Sequence, residues 1–368
     1  MRLALRLARR GLGSTSPNPM VGAVLVKGGQ IIGRGWHRRA GGPHAEIEAL
    51  RDAQKRGHNP KGATFYVTLE PCCTHGRTPP CTEAIIAAGI KRVVIGATDP
   101  NPKHAGRGFK ILRRAEIAVT HGILAEGCAR LNEAFNHWIV RRTPFVTIKA
   151  AMTLDGKIAT SSGESKWITG KKARAHGMKL RQGSDAILVG VNTILADNPS
   201  LTVRTEKKAV APELRRIVLD SRARTPLTAK VVSDEFAMLT TIVVGKSAPK
   251  QRVAALQKHV NVLFAAAANS KLKNKNSKLN LRWLLKILGA ENVTNLLVEG
   301  GGEVNASFLL GGFAQRVAFF YAPKILGGRD ARKTVAGNGA KSLREVIRLR
   351  DVVWQRLGED LLLTARVN

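Results

Sequence analysis

Residues 41–50 read GGPHAEIEAL and residues 68–85 read TLEPCCTHGRTPPCTEAI, and these two stretches set the architecture of the first half of the chain. Each announces a helix start: Pro43 stands just ahead of His44, and Pro79 and Pro80 just ahead of Cys81. Proline suits the edge of a first helical turn, where its missing N–H leaves no intrahelical bond unmade. Outward from them run strand-like apolar segments, VGAVLV (21–26), QIIGRGW (30–36), TFYVTL (64–69) and RVVIGA (92–97), alternating with helical ones at 1–11, after 43 and after 79. This order predicts a layered α/β domain with helices packed on a sheet. A continuous helical run, ILAEGCARLNEAFNHWIV (123–140), closes it near Arg142.

A second series opens with FVTIKAAM (145–152) and continues through AILVG (186–190), RIVLD (216–220), TTIVVG (240–245), NVLF (261–264), NLLVEG (295–300), VAFFYAP (317–323) and LLLTARV (361–367), interleaved with helices such as KKARAHGMKLRQ (171–182). The chain has 368 residues, more than one hydrophobic core usually serves. Two α/β domains are expected, 1–142 and 143–368, joined at RRTP (141–144), where a proline stops the preceding helix. The polar, nearly low-complexity run ANSKLKNKNSKLN (268–280) reads as a surface loop within the second domain.

Composition excludes several classes. Three of the four cysteines fall between positions 72 and 81, which is no dispersed disulfide framework and fits a reducing cytoplasm. No apolar run reaches membrane-spanning length. The opening MRLALRLARRG is arginine-rich and free of acids, like a transit peptide, but Leu3 and Leu7 sort away from Arg6 and Arg10, so an amphipathic first helix is the preferred reading. The net charge of +34 raises the question of nucleic acid, yet 23 basic and 9 acidic residues precede Thr143 and 37 and 17 follow, so no dedicated basic tail exists. Aromatics, at 5%, are too few for base-stacking platforms. A basic surface suited to phosphorylated small substrates, without specific nucleic-acid or membrane binding, is expected.

His44, Cys72 and Cys81 offer the borderline and soft ligands that zinc takes in a tetrahedron, with one position left for water as in catalytic sites. Cys73 is an alternative ligand; Cys72 is preferred because it follows Pro71 directly. Residues two apart on a helix do not face each other, so His44 and Glu46 converge only if the histidine sits at the helix entry. Glu46 then serves as the general base and returns the proton to departing ammonia. Any one of these residues alone reads better as core filling. Together, H-x-E followed by a strand ending in P-C and a further cysteine is the zinc deaminase signature.

Nucleoside and transfer-RNA deaminases usually space their cysteines P-C-x-x-C, whereas here a longer loop separates Cys72 from Cys81. With SPNPMVGAVLV (16–26), GRGWHRRAGGPHAE (33–46), DPNPKHAGRGF (99–109), TLDGKIATSSGESKWITG (153–170), ADNPSLTVR (196–204) and LVEGGGEVNASFL (297–309), nearly the whole chain resembles the bifunctional riboflavin-biosynthesis deaminase/reductase family. The resemblance implies a cytidine-deaminase-like three-layer α/β domain followed by a dihydrofolate-reductase-like α/β domain, in a cytoplasmic homo-oligomer. It implies two reactions: zinc-dependent removal of the 2-amino group from a diaminopyrimidinone ribosylamino phosphate, then NADPH-dependent reduction of the ribosyl group to ribityl.

By the same resemblance Asn18, His37 and Arg77 hold the deaminase substrate. Ser165, Arg181, Leu201, Arg204 and Glu299 hold the reductase substrate. Ala151, Trp167, Thr193, Asp197, Ser221, Gly301, Gly302, Glu303, Val304, Asn305, Ala306 and Ser307 hold the dinucleotide. Without that context Asn18 is a turn residue, Arg77, Arg181 and Arg204 are surface charges, Trp167 is core and Asp197 forms a turn. The residues themselves support one part of this directly: strand NLLVE running into Gly300, Gly301 and Gly302 and a helix start is a phosphate cradle, although not the G-x-G-x-x-G fingerprint. The competing readings are a zinc deaminase acting on a base in RNA or DNA with a non-catalytic second domain, and a zinc-stabilised binding protein. Retention of Glu46, which is not a ligand, speaks against the latter.

Overall fold

The computed structural model describes residues 1–75, 79–204, 214–266 and 279–368. They form two compact units, Met1–Arg142 and Thr143–Asn368. Among the described residues no helix is long and apolar enough to cross a membrane. Arg77 and most of the polar run 268–280 lie outside the described residues.

The first unit contains strands β1 (Gly22–Lys27), β2 (Gln30–Trp36), β3 (Thr64–Leu69), β4 (Arg92–Ala97) and β5 (Ala118–His121), and helices α1 (Arg2–Ala8), α2 (Ala45–Lys55), α3 (Cys81–Ala87), α4 (Arg107–Arg114), α5 (Ala125–Leu131) and α6 (Glu133–Arg141). The strands order as β2-β1-β3-β4-β5; β1 runs antiparallel to both neighbours, and β3, β4 and β5 are parallel. Alternation along β1 separates the two faces. Ala23 and Leu25 join the core carrying Ala45, Ala49 and Ala53 of α2 and Ile85 of α3, whereas Val24 packs with Ala4 and Leu7 of α1. Small residues let the layers close: a Cβ on Gly22 would lie 2.0 Å from the Ala4 carbonyl, and one on Gly35 2.3 Å from that of Ala45. A sheet between two helical layers is thus the expected three-layer deaminase-like architecture.

The continuous helix expected over 123–140 is broken at Asn132 into α5 and α6. The Asn132 side chain accepts the Met20 N–H at 2.8 Å and donates to the Met20 carbonyl at 2.9 Å, a bond across the fold that the local pattern cannot reveal.

The second unit contains strands β6 (Phe145–Thr153), β7 (Lys157–Ala159), β8 (Ala186–Gly190), β9 (Arg215–Leu219), β10 (Thr240–Val244), β11 (Asn261–Phe264), β12 (Asn295–Val298), β13 (Arg316–Ala322), β14 (Arg332–Lys333), β15 (Leu349–Leu357) and β16 (Asp360–Val367). Its helices are α7 (Lys171–Gln182), α8 (Val191–Asp197), α9 (Lys230–Ser233), α10 (Lys250–Gln257), α11 (Leu281–Ala290) and α12 (Gly302–Leu310). Among the described residues the main sheet orders as β11-β10-β9-β8-β12-β6-β13-β16-β15, parallel from β11 to β13 and closed by the antiparallel β16 and β15; β7 and β14 pair separately.

Parallel strands covered on both faces read as unbroken apolar runs, and AILVG of β8 is buried throughout. Ala186 and Leu188 face a core with Leu284, Leu285 and Leu288 of α11 and Phe308 of α12; Ile187 and Val189 face one with Val231, Val232, Val253 and Leu256. Burying each such leucine contributes about 1.5–3 kcal/mol relative to exposure. This is the dihydrofolate-reductase-like α/β domain. It leaves the carboxyl ends of β8, β9 and β12 side by side, where open α/β sheets bind ligands.

Candidate active sites

His44 is the N-cap of α2, with extended backbone at φ −71° and ψ 163°, so the histidine does sit at the helix entry. Cys81 opens α3, directly after Pro80, and Cys72 lies on the segment leaving β3. The His44 Nδ1 stands 3.5 Å from the Cys72 sulfur and 3.3 Å from that of Cys81, and the three potential donor atoms lie within 4.8 Å of one another. In tetrahedral zinc coordination, bond lengths near 2.0–2.1 Å to nitrogen and 2.3 Å to sulfur set the N···S separation at about 3.6 Å. The arrangement and the chemistry of these donors therefore fit that ion. Cys73 is outside this group of donors, its sulfur 3.4 Å from the His104 Nδ1.

The electrostatics agree. The Cys81 hydrogen bond, assisted by His44, draws the Cys72 thiol down to about 4 against the opposing effect of burial. The reciprocal bond and burial push the Cys81 thiol up, so the two sulfurs share one proton. A cation displaces such a proton readily. Burial raises the Glu46 carboxyl to about 7, the Cys72 charge adding to that effect and His44 opposing it. Glu46 is 4% exposed, and a carboxyl that titrates near neutrality beside the donor cluster is matched to moving protons.

Of these groups His44, Glu46 and Cys72 line a cavity of about 280 Å³. Asn18 and His37 are both on its wall. The His37 Nδ1–H donates to the Pro43 carbonyl at 2.9 Å, which leaves Nε2 to accept from the Asn18 amide at 3.1 Å. Burial lowers the His37 pKa, so the ring is neutral and orients the amide. Phe135, Trp138 and Ile139 of α6 also line it and offer apolar surface to a flat ring.

Four polar residues in this cavity were not singled out from the sequence: Glu70, Asp99, Asn101 and His104. Glu70 accepts backbone N–H groups of Asp99 at 3.2 Å, Gly106 at 2.9 Å and Gly108 at 2.9 Å, pinning the 99–108 segment over the site. The Asp-Pro-Asn-Pro turn was the available signal, since Asp99 accepts the Asn101 N–H at 2.8 Å in an Asx turn.

In the second unit a cavity of about 930 Å³ opens at the carboxyl ends of β8, β9 and β12. Thr193, Asp197, Ser221, Gly301, Gly302, Glu303, Val304 and Ser307 line it, together with Ser165, whose hydroxyl donates to Asp197 at 3.1 Å. A Cβ on Gly301 would meet nothing within 4 Å, so this glycine presents bare backbone to the cavity; one on Gly302 would lie 2.3 Å from the Lys333 carbonyl. An open glycine backbone at the start of α12 fits a dinucleotide pyrophosphate. Glu303, in the same first turn, opposes an anion there.

Ala151, Trp167, Arg181, Leu201, Arg204, Glu299, Asn305 and Ala306 are not on that wall. Trp167 is 64% exposed under the Arg174 guanidinium rather than in the core. Arg181 is no surface charge: its Nε and Nη2 donate to Glu299 at 2.8 and 3.0 Å, and its Nη1 to the Thr202 carbonyl at 3.0 Å. Lys149 completes the cluster 3.3 Å from Glu299. Burial opposes ionisation of Glu299, yet the two cations hold its carboxyl at about 2. Asn305 is buried and donates to the Thr334 carbonyl at 2.9 Å. Leu201 is buried and Arg204 exposed.

Comparison with known proteins matches each unit to a known family. Residues 1–97 match the cytidine and deoxycytidylate deaminase zinc-binding region, and residues 144–363 match the RibD C-terminal domain. The riboflavin biosynthesis protein RibD of Actinobacillus pleuropneumoniae is 44% identical, covering 99% of this chain and 93% of its own; that of Aquifex aeolicus is 46% identical, covering 99% and 96%. Among solved structures, Acinetobacter baumannii RibD is 36% identical with a TM-score of 0.85, covering 100% of this chain and 97% of its own. The diaminohydroxyphosphoribosylaminopyrimidine deaminase/5-amino-6-(5-phosphoribosylamino)uracil reductase of Thermotoga maritima is 35% identical with a TM-score of 0.82 and the same coverage. Matched from end to end in both sequence and structure, this chain belongs to the RibD family of riboflavin biosynthesis proteins.

Proposed function

We propose that the chain carries out both reactions of this family, with His44, Cys72 and Cys81 as zinc ligands and Glu46 as the proton carrier of the first. The substrate is 2,5-diamino-6-(5-phosphoribosylamino)pyrimidin-4(3H)-one: hydrolysis removes its 2-amino group, and NADPH then reduces the ribosyl group to ribityl. Zinc, when bound, supplies Lewis acidity to a water in the pocket. Glu46 takes one proton of the water as oxygen adds to the ring carbon bearing the amino group and delivers it to the amine nitrogen, so that ammonia leaves; the oxygen's second proton goes to the adjacent ring nitrogen as the carbonyl forms. Asn18, fixed by His37, offers its amide to the polar ring edge, and the α6 wall covers a ring face. The phosphate falls to Arg77 by resemblance.

For the second reaction the dinucleotide supplies hydride, and the protein orients it. Gly301 and Gly302 with the start of α12 take the pyrophosphate, and Thr193, Asp197 and Ser221 contact the remainder. Arg181 and Glu299 act by bracing the segment through Thr202 that carries Leu201 and Arg204. The observation that carries the reading is the meeting of His44, Cys72 and Cys81 beside a buried Glu46 in a cavity sized for one small ring. Metal analysis of purified protein, coupled to an assay of the diaminopyrimidine phosphate with and without NADPH, tests it. Ammonia release without NADPH, and ribityl product only with it, is the expected result; a metal-free protein or no ammonia would overturn it.

A further inference from the structure

Two histidines besides His44 line the deaminase cavity, and their rings are set in opposite senses. The His37 Nδ1 faces a backbone carbonyl, so its Nε2 is an acceptor and is taken by Asn18. The His104 Nδ1 faces the opposite kind of group: the Cys73 N–H reaches it at 3.5 Å, with the Cys73 sulfur at 3.4 Å. A backbone N–H only donates, so this nitrogen accepts and the ring proton sits on Nε2. Among the described residues nothing pairs with that Nε2–H. His104 is 9% exposed, so a donor on the cavity wall is largely withdrawn from bulk water.

The chain around His104 holds the ring in place. Its N–H donates to the Asn101 carbonyl at 2.8 Å, and its carbonyl accepts the Arg107 N–H at 2.6 Å. Glu70 takes the N–H groups of Gly106 and Gly108 just beyond it. A Cβ on Gly108 would lie 2.7 Å from the Pro71 carbonyl, so this segment packs directly against the chain entering Cys72. The imidazole is therefore fixed from two directions, by its own segment and by Cys73, the residue next to a proposed zinc ligand.

The proposed substrate presents a choice that such a donor settles. Its ring carries an amino group at position 2, a carbonyl at position 4 and the ribosylamino phosphate at position 6. Turning the ring over about the line through its third and sixth atoms exchanges the amino group and the carbonyl and leaves the tether in place. The tether and the apolar surface of α6 accommodate both orientations, but only one puts the carbon bearing the 2-amino group beside Glu46. The amides of Asn18 and Asn101 each carry a donor and an acceptor, so they take either group. A fixed Nε2–H does not: it pairs with a carbonyl oxygen and is left unmade against an amine.

We infer that His104 donates from Nε2 to the 4-carbonyl oxygen of the pyrimidine and so selects the orientation in which the 2-amino group is removed. This rests on the deaminase reading of the cavity. His104 is a specificity-determining contact and carries no proton in the reaction.

The test uses the full-length, zinc-loaded protein and compares the substrate with the analogue bearing an amino group in place of the 4-carbonyl. Ammonia release gives kcat/KM for the substrate, and the analogue is titrated as a competitive inhibitor of that reaction. His104→Phe keeps a flat ring without the donor: kcat/KM should fall about tenfold or more, while the inhibition constant of the analogue stays within about threefold. His104→Gln, whose amide donates or accepts, should recover part of the substrate activity and bind the analogue more tightly than the unaltered protein does. Elemental analysis and thermal melting check metal and fold in each variant. Equal losses for substrate and analogue in a folded, zinc-loaded His104→Phe protein, or no loss for the substrate, would overturn the assignment of His104 while leaving the deaminase reading intact. Absence of ammonia release by the unaltered protein would overturn that reading and this inference with it.

Discussion

The His44 Nδ1 lies 3.3 Å from the sulfur of Cys81, although 37 residues separate them in the chain, because each sits at the first position of its own helix entry and the two helix starts meet. With Cys72 these are the three proposed ligands, and among the described residues no other metal-ligating group of this kind forms. Cys81→Ser and His44→Ala are each expected to abolish zinc binding and ammonia release together. Cys73→Ser, whose sulfur faces His104, is expected to retain zinc. Elemental analysis of the variants decides; full metal occupancy in the His44 variant would remove the site from consideration.

Glu46→Gln separates chemistry from metal binding. The amide preserves shape but accepts no proton, so zinc stays while deamination falls by about two or more orders of magnitude. A variant that loses metal and activity in parallel would show Glu46 to be structural instead.

The two catalytic halves differ in how much of them the sequence discloses. His44, Glu46, Cys72 and Cys81 are readable because ligand chemistry and helix starts coincide in two short segments. The buried run of β8 is readable because a strand covered on both faces needs no alternation. By contrast β15, LRDVVWQRL, is almost wholly exposed and its apolar residues form neither a long run nor a strict alternation, and β5 has only AVTH to show. Glu70 and His104 come into the deaminase cavity through the register of β3 against β4 and the pinned 99–108 segment, relationships with no local trace. Arg181 looked like a surface charge for the same reason, since its partner Glu299 lies 118 residues away.

That partnership carries a pH dependence. Glu299 titrates at about 2 in the folded protein against an ordinary 4.5, so the folded state holds its proton less tightly than the unfolded chain. The sign follows: its stabilisation is fully present above about pH 4.5 and is lost as pH falls toward 2. The effect is on the order of 3 kcal/mol for a shift of this size. Unfolding of the second unit, followed by near-ultraviolet circular dichroism, should be steeper in that acid window for the unaltered protein than for Glu299→Gln. The variant should also be less stable at pH 7, because Arg181 and Lys149 are left as half-buried cations without their counter-charge. Parallel pH profiles would rule out this role.

Separate cores in Met1–Arg142 and Thr143–Asn368 imply that the reductase half folds alone. A fragment beginning at Thr143 should bind NADPH with no zinc present and be indifferent to chelator. Titration of a folded fragment that shows no NADPH binding would mean that the glycine cradle at Gly301 is a structural turn.

The net charge of +34 sets the small-molecule reading against a deaminase of bases in nucleic acid. If the charge serves a strand, binding should be tight at physiological salt, depend on base or structure, and compete with the small substrate for the cavity around His44. A merely basic surface holds polyanions weakly, without sequence preference, and loses them steeply as salt rises, because counterion release supplies nearly all the free energy. The second behaviour is expected here. Basic residues exceed acidic ones in both units, 23 to 9 before Thr143 and 37 to 17 from it onward, and aromatic residues are only 5% of the chain. The deaminase cavity, at about 280 Å³, admits one ring against the α6 wall. Deamination of the free pyrimidine phosphate should therefore proceed undiminished beside excess RNA at about 0.15 M salt, where screening confines surface charge to about 8 Å. Competitive inhibition by RNA under those conditions, or deaminated bases recovered from the RNA, would transfer the substrate assignment from the free pyrimidine to the polymer.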